Sequence, residues 1–188
     1  LQKILFFLII SLALFLRVIK LEIIPKDLHH DEASFLLNSV AIMETGRDED
    51  GRFLPLQLNS LIDGKPAIYS YLQIPFLAIF GVNTAASRLP SAVIGVLSII
   101  LFYYLIKILT KNHWLALVGM LLLTLSPWHI VNSRGTQEVI LSFCCLLANL
   151  IIFYQIFAQK KINYWQLILF TFTALLTMYS YHSSKIVM

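Results

Sequence analysis

The 21 residues from Leu89 to Leu109, LPSAVIGVLSIILFYYLIKIL, contain a single charged side chain, Lys107. A transmembrane helix needs about 20 predominantly apolar residues to cross a hydrocarbon core of about 30 Å. The stretch therefore predicts a membrane-spanning helix, and it sets the class of fold for the rest of the chain.

The composition of the whole chain agrees with this prediction. Its 188 residues are 59% hydrophobic and 13% charged, whereas a soluble domain carries about 25% charged residues. We therefore expect an integral membrane protein, with membrane lipids among its partners. The net charge of +4 is small and its basic residues are scattered, which argues against nucleic acid as a partner. Cys144 and Cys145 are neighbours in an apolar run, so we expect two unpaired core thiols.

Four further apolar runs are long enough to span a membrane: Ile4–Ile23, Trp114–Ile130, Val139–Phe157 and Tyr164–Tyr181. With Leu89–Leu109 they predict an all-α, polytopic membrane protein of about five transmembrane helices, forming one domain over residues 1–188. Arg17 and Lys20, near the end of the first run, are expected to snorkel. A shorter run, Ala67–Phe80, contains Pro75 and predicts a re-entrant or interfacial helix.

The polar part of the chain is the loop of residues 24–88 between the first two spans. Nine of the ten acidic residues lie between Glu22 and Asp63. Apolar residues at helical spacing predict an amphipathic helix on the membrane surface, which Asp31 would cap and Gly46 would end. The apolar residues at this helical spacing are Ala33, Leu36, Leu37, Val40, Ala41 and Met43. The segment RDEDGR, Arg47–Arg52, is expected to be an exposed turn.

The basic residues predict how the spans are oriented. Five spans place one set of lysines on a single side, namely Lys3, Lys107, Lys111, Lys160 and Lys161. Arg88 and Arg134 then share the other side with the acidic loop. Under the positive-inside rule this loop is extracytoplasmic and the protein lies in a cell inner or plasma membrane. Arg17 and Lys20 argue the opposite orientation for the first span alone.

Many ionisable residues are predicted to lie on the extracytoplasmic side: His29, His30, Asp31, Glu32, Asp63, Lys65, Arg88, Arg134, Glu138, His182 and Lys185. Ionisable groups near hydrocarbon are costly and are usually paired or functional. Carboxylates opposite several cations suit a phosphate-bearing substrate carried by the membrane. The cations would hold the phosphate, and a carboxylate could take a proton from an attacking hydroxyl.

Each of these residues also has a purely structural interpretation. Asp31 could be only a helix cap, and Lys65 could lie in a solvated turn. Arg88 and Arg134 could snorkel to lipid headgroups, and Tyr69 could belong to an aromatic belt at the interface. The functional interpretation rests on the convergence of these residues on one side.

Metal binding is left undecided by the sequence, and no cofactor is assigned. His30, Asp31 and Glu32 are the candidate ligands for a divalent ion. The stretch HHDE, from His29 to Glu32, lacks the i, i+4 histidine spacing of a helical zinc site.

Five motifs follow one another in a fixed order: Asp31-Glu32-Ala33, GKPAIY (Gly64–Tyr69), SRLPSA (Ser87–Ala92), SPWHIVNSRGTQE (Ser126–Glu138) and YSYHSSK (Tyr179–Lys185). In these motifs the chain resembles the GT-C fold glycosyltransferases that use lipid-phosphate-linked sugars. It is most similar to the protein O-mannosyltransferase family and to the bacterial aminoarabinose transferases. Two positions depart from the family pattern: Ala67 stands where a second proline is common, and Glu138 where aspartate is usual.

The resemblance implies an enzyme that transfers a hexosyl or pentosyl group from a polyprenyl- or dolichyl-phosphate donor. Transfer would occur on the extracytoplasmic face, with inversion, to a protein or glycolipid acceptor. Because such enzymes are several hundred residues longer, the chain would correspond to the N-terminal part of a GT-C module. We expect it to lack a complete acceptor site, and therefore activity, in isolation.

The resemblance also implies roles for individual residues. Asp31 would be the base or the acceptor-orienting carboxylate, with Glu32 beside it in the catalytic site. Lys65 would hold the lipid phosphate. Arg88 and Arg134 would either complete the basic lining or pair with the carboxylates. Tyr69 and Glu138 are the remaining residues assigned to substrate binding.

Two other classes of function are compatible with the sequence. A non-catalytic carrier or flippase for lipid-linked sugars would need the cations but not Asp31. A structural subunit whose polar loop binds a partner would need neither Asp31 nor Lys65 for any turnover.

Overall fold

The computed structural model describes residues 1–59, 64–158 and 163–181, and this part of the chain contains eight helices and two short strands. The helices are α1 (Gln2–Val18), α2 (His30–Thr45), α3 (Ile68–Phe80), α4 (Thr84–Thr110), α5 (His113–Leu125), α6 (Pro127–Arg134), α7 (Glu138–Ala158) and α8 (Tyr164–Ser180). The strands β1 (Gln57–Leu58) and β2 (Lys65–Pro66) pair antiparallel, with Leu58 opposite Lys65. The predicted all-α class is confirmed.

The central element is α4, which contacts α1, α3, α5, α6 and α7, while α8 packs against α7. Its 27 residues extend for about 40 Å at 1.5 Å per residue. One apolar core joins α4 to α1 and α5: Ile9, Ala13, Ile99, Tyr103, Ala116, Leu117 and Met120. A second joins it to α7 through Leu105, Leu147 and Ile151. Cys144 and Cys145 are free thiols, as predicted.

Within the described residues, α4 and α7 are each long and apolar enough to cross a membrane, and the bent pair of α5 and α6 makes a third candidate. The helices α1 and α8 have 17 residues each, which is at the lower limit for a span. The number of five spans therefore stays a prediction. The run Ala67–Phe80 forms the short helix α3, with Pro75 inside it.

The predicted span Trp114–Ile130 is divided into two helices, because α5 and α6 meet at an angle of 58°. The break lies at Ser126, whose φ of −59° and ψ of 120° are not helical. The following Pro127 disfavours a helical conformation at Ser126 and cannot donate a backbone hydrogen bond.

The expected first span is also too long, since α1 ends at Val18 rather than near Ile23. Lys20 has a φ of 50°, and residues 19–29 form turns that lead into α2. These residues are called the connector below.

Arg17 does not snorkel as we expected. Its side chain is fully buried and donates hydrogen bonds to the carbonyl oxygens of Ala13 (3.0 Å) and Thr124 (3.4 Å). A third bond of 2.8 Å joins its Nη2 to Nδ1 of His129. Arg17 therefore ties α1 to the bend between α5 and α6.

The helices are arranged with two distinct polar ends. Tyr103, near the end of α4, packs against Phe6 and hydrogen-bonds to His113 (3.1 Å). Lys3 and Lys107 consequently lie at the same end, as the charge pattern predicted. Lys160 and Lys161 lie outside the described residues, and the side of the membrane stays a prediction.

The predicted amphipathic helix is present as α2 and ends at Gly46, which has a φ of 70°. Its N-cap is His29 rather than the expected Asp31. The backbone N–H of Asp31 donates to Nδ1 of His29 (3.3 Å), and the backbone N–H of His29 donates to Glu32 (3.1 Å). This reciprocal pair is a capping box.

The face of α2 that packs against the protein differs from the predicted apolar face. Its buried residues are Glu32, Phe35, Asn38, Ser39 and Ile42, whereas the predicted Ala33 and Leu37 are exposed. The turn at Arg47–Arg52 is likewise not wholly exposed. It closes around the buried carboxylate of Asp48, which accepts from Nε of Arg52 at 2.8 Å.

Candidate active site

The predicted polar residues meet where four elements converge: the start of α2, the strand β2, the start of α4 and the turn between α6 and α7. They form two separate carboxylate–cation pairs, one partly exposed and one buried. Asp63, His182 and Lys185 lie outside the described residues.

The partly exposed pair joins Asp31 to Lys65, whose Nζ donates to Oδ1 of Asp31. The side chain of Asp31 is 42% exposed and that of Lys65 is 15% exposed. The ammonium of Lys65 also lies 5.4 Å from the centroid of the Phe35 ring, within range of a cation–π interaction. Pairing of Lys65 with Leu58 in the small sheet places the lysine at this point.

The pKa of the Asp31 carboxyl lies below its ordinary value. The hydrogen bond from Lys65 is the largest cause, and partial burial opposes it. The positive charge of Lys65 and the neighbouring His29 and His30 lower the pKa further. Asp31 is therefore ionised at neutral pH, in the form that can accept a proton.

The buried pair joins Glu32 to Arg88 in a two-pronged contact. Nε of Arg88 donates to Oε1 at 3.1 Å, and Nη2 donates to Oε2 at 2.9 Å. Glu32 accepts two more bonds, from the backbone N–H groups of Thr136 (2.7 Å) and His29 (3.1 Å). Burial raises the pKa of Glu32, but the bonds from Arg88, Thr136 and His29 outweigh it, so the net shift is downward.

Arg88 has all five of its N–H donors in use. Besides Glu32, it donates to the connector carbonyls of Leu21 (3.1 Å), Pro25 (3.0 Å) and Asp27 (3.1 Å). A guanidinium with no remaining donor is poorly suited to hold a phosphate. Of the two roles implied for Arg88, the geometry favours pairing with a carboxylate.

Arg134, the last residue of α6, donates hydrogen bonds to the same connector. It is 7% exposed and donates to carbonyl oxygens of Leu16, Ile19 (2.7 Å) and Ile24 (3.0 Å). Because Leu16 and Ile19 mark the end of α1, Arg134 satisfies carbonyls that the helix leaves without partners. The two arginines thus hold the chain that delivers Asp31 and Glu32 to the site.

Tyr69 is fully buried, so the aromatic-belt interpretation is wrong for this residue. Its ring packs against Phe35 at 5.4 Å, and its hydroxyl hydrogen-bonds to Ser91. The Ser91 hydroxyl also accepts from the backbone N–H of Gln137 at 3.4 Å. Tyr69 therefore joins α3 to α4, and the Phe35 ring lies between it and Lys65.

Glu138 is the first residue of α7 and is half-buried. It lies close enough to Asp31 and Lys65 to interact with both electrostatically. Among the described residues it forms no ion pair.

The three candidate metal ligands do not all converge. His30 lies 3.9 Å from Asp31, but Glu32 faces Arg88 instead. In the described parts of the chain, no three His, Cys, Asp or Glu side chains are placed to hold a metal ion. The arrangement of these residues therefore does not fit a divalent ion.

Two clefts meet at His30. One of about 470 Å³ is lined by His30, Ser34, Glu49 and Asp50, among others. The other, of about 520 Å³, includes His29, His30, Glu32 and Gln137. The start of α2 thus borders an open cleft on two sides, and neither cleft is lined by Asp31 or Lys65.

One feature of the site that was not predicted from the sequence is a stripe of small residues along α4. Ser87, Ser91, Gly95 and Ser98 are all buried and lie on one face. Their helical spacing was the available signal, since small residues let transmembrane helices approach closely. Ser98 hydrogen-bonds to Nε2 of His129 at 2.8 Å, so the stripe also carries the contact with α6.

Comparisons with known proteins agree with the motifs. The sequence model described as dolichyl-phosphate-mannose-protein mannosyltransferase matches residues 64–187, well over half of the chain. This region includes Lys65, Arg88, Arg134 and Glu138, but not Asp31.

An uncharacterized protein of Aquifex aeolicus (strain VF5) is 31% identical over 132 residues, which are 69% of this chain and 26% of that protein. The chain thus spans about a quarter of the length of this curated relative. No solved structure matches the present chain.

Proposed function

This chain belongs to the dolichyl-phosphate-mannose-protein mannosyltransferase family, and on that premise we propose that it takes part in sugar transfer from a polyprenyl- or dolichyl-phosphate donor. The reaction inverts the anomeric carbon and takes place on the extracytoplasmic face of the membrane. The acceptor is a hydroxyl group of a protein or glycolipid.

The observation that carries the proposal is the contact between Asp31 and Lys65. Transfer from a lipid phosphate to a hydroxyl needs a cation beside the phosphate and a base beside the acceptor. Asp31 is ionised and 42% exposed, so an acceptor can reach it. Lys65 is the cation next to it, and a lysine ammonium is a common ligand of phosphate oxygens.

The roles of the two residues follow from the charges that change during transfer. The bond between the anomeric carbon and the phosphate oxygen breaks, and negative charge grows on the phosphate. Lys65 stabilises that charge, and the phosphate needs no proton to leave. The acceptor oxygen bonds to the anomeric carbon from the opposite face, and its proton passes to Asp31.

Glu32 has a different role in this proposal from its neighbour. Its side chain is 3% exposed and accepts four hydrogen bonds. We assign it the positioning of Asp31, because it fixes the first turn of α2 to Arg88 and to the turn between α6 and α7.

The test compares three forms of the full-length protein in membranes: wild type, Asp31→Asn and Lys65→Ala. Transfer of radiolabelled sugar from polyprenyl-phosphate donors and binding of the donor are both measured. We expect both variants to lose transfer, by about 10²-fold or more for removal of a general base. Only Lys65→Ala should lose donor binding.

Lys107→Ala is the matched control, because Lys107 lies at the other end of α4 and should affect neither quantity. Undiminished transfer by Asp31→Asn would leave Asp31 a residue of the helix start without a catalytic role. Donor binding without any sugar transfer by the wild type would instead favour a carrier.

A further inference from the structure

We propose that Asp31 and the donor phosphate compete for Lys65, so that binding of the donor lipid releases Asp31 to act on the acceptor. The inference rests on the proposed function and adds an order of events to it. The donor binds first, and the base becomes effective only once the donor is in place.

The geometry around Lys65 supports competition. Its side chain is only 15% exposed, with the Phe35 ring 5.4 Å from the ammonium and Asp31 hydrogen-bonded to it. Pairing with Leu58 in the sheet limits movement of the lysine backbone. Asp31 thus occupies one side of an ammonium that is already largely enclosed, and a phosphate that binds Lys65 competes with the carboxylate for this contact.

Electrostatic repulsion between the phosphate and Asp31 also favours competition for Lys65. A phosphate that approaches Lys65 meets the negative charge of Asp31, and Glu138 lies nearby. Two anions in contact with one ammonium repel each other, and the weaker contact lengthens. Asp31 is the anion with room to move, because its side chain is 42% exposed.

Release changes the chemistry of Asp31. While Lys65 holds it, the pKa of the carboxyl is low and the carboxylate is a weak base. Two imidazoles also face it, with Nδ1 of His29 at 3.5 Å and Nδ1 of His30 at 3.9 Å. Loss of the lysine contact removes the largest cause of the lowered pKa, and the phosphate charge adds to the effect. The carboxylate then accepts the hydroxyl proton more readily.

The test is a double-mutant cycle on the equilibrium affinity for polyprenyl phosphate without a sugar. The full-length protein is placed in lipid nanodiscs as wild type, Asp31→Asn, Lys65→Ala and the double variant. We expect Lys65→Ala to weaken binding by at least about tenfold. Asp31→Asn should tighten it by about two- to fivefold, as for release of a partly exposed ion pair. In the Lys65→Ala background, Asp31→Asn should change nothing.

Glu44→Gln is the matched control, since Glu44 is an exposed carboxylate at the far end of α2 and should leave the affinity unchanged. Thermal unfolding of each variant confirms that it is folded, and Asp31→Ala provides a second removal of the carboxylate. An unchanged or weaker affinity in both Asp31 variants would overturn the competition. The competition would also be overturned if Asp31→Asn tightened phosphate binding equally with and without Lys65. Repulsion between Asp31 and the phosphate would then explain the effect without any contact to Lys65. If Lys65→Ala binds as tightly as the wild type, it is the proposed phosphate-holding role that fails.

Discussion

At the scale of residues, two adjacent carboxylates have opposite environments because they lie on a helix. Successive residues of a helix point about 100° apart, so Asp31 and Glu32 cannot face the same partner. Asp31 faces Lys65 and is 42% exposed, while Glu32 faces Arg88 and is 3% exposed. One is free to meet a substrate, and the other is enclosed by hydrogen-bond donors.

Substitution of Glu32 by glutamine should strongly destabilise the protein. The change leaves the fully buried Arg88 cation without a counter-charge. Removal of one partner of a buried ion pair costs about 3–5 kcal/mol. The free energy of unfolding, measured on the purified protein in detergent micelles, should fall by this amount. The exposed Glu44→Gln should change it by less than about 0.5 kcal/mol.

The ion pair between Glu32 and Arg88 makes the free energy of unfolding depend on pH. The folded-state pKa of Glu32 is below its ordinary value of 4.5. Its contribution is therefore fully present above pH 4.5 and is lost as the pH falls towards the folded-state value. The difference between wild type and Glu32→Gln should shrink in that range. A difference that stays constant would show that Glu32 is not stabilised in its ionised form.

The sequence predicted which residues belong to this region more fully than it predicted their partners. Asp31, Lys65 and Arg88 were identified from motifs and charge alone. Which carboxylate meets which cation depends on where α2 begins, and His29 rather than Asp31 is its cap. The partners themselves, Lys65 for Asp31 and Arg88 for Glu32, lie 34 and 56 residues further along the chain, so no local pattern reveals the pairing.

At the scale of elements, the contact between α4 and α6 depends on the absence of a side chain at Gly95. A Cβ at this position would lie 2.5 Å from Cβ of Ser133 and 3.4 Å from Nε of Arg17. Neither Ser133 nor Arg17 has free space, because both are fully buried. The helices can be this close only because position 95 is glycine.

Gly95→Ala should therefore separate α4 from α6 and lower the free energy of unfolding by about 1–3 kcal/mol, as overpacking does. Gly119→Ala is the matched control. Its new Cβ would meet the terminal methyl of Ile106 at 2.2 Å, and the end of a flexible side chain can turn away. A smaller loss for Gly95→Ala than for Gly119→Ala would contradict the tight packing of α4 on α6.

The positions of the long helices are predictable from hydropathy, whereas the bend between α5 and α6 is not part of that prediction. Ser126-Pro127 is a visible signal for it, but the apolar run continues through this point and indicates one span. The bend matters because it directs α6 back towards the connector. Arg134 can then reach the end of α1, and His129 can reach Arg17.

At the scale of the whole molecule, α1 connects the two polar ends. It begins near Lys3 and ends at the connector, which leads to the site. Its 17 residues extend for about 26 Å, slightly less than a hydrocarbon core of about 30 Å. The buried Arg17 in its last turn contacts His129 rather than lipid headgroups. We therefore expect the charge of Arg17 to have little influence on the orientation of α1. The lysines Lys107, Lys111, Lys160 and Lys161 should determine that orientation instead.

Cysteine labelling in cells tests this orientation directly. In a background with Cys144 and Cys145 replaced by alanine, Lys3→Cys and Glu44→Cys each place one thiol at an exposed position. We expect a membrane-impermeant maleimide to label Glu44→Cys in intact cells, and Lys3→Cys only after the cells are permeabilised. The opposite pattern would place the Asp31–Lys65 pair on the cytoplasmic side and remove the extracytoplasmic reaction. Labelling of both from one side would mean that α1 does not cross the membrane, and the prediction of five spans would then be wrong.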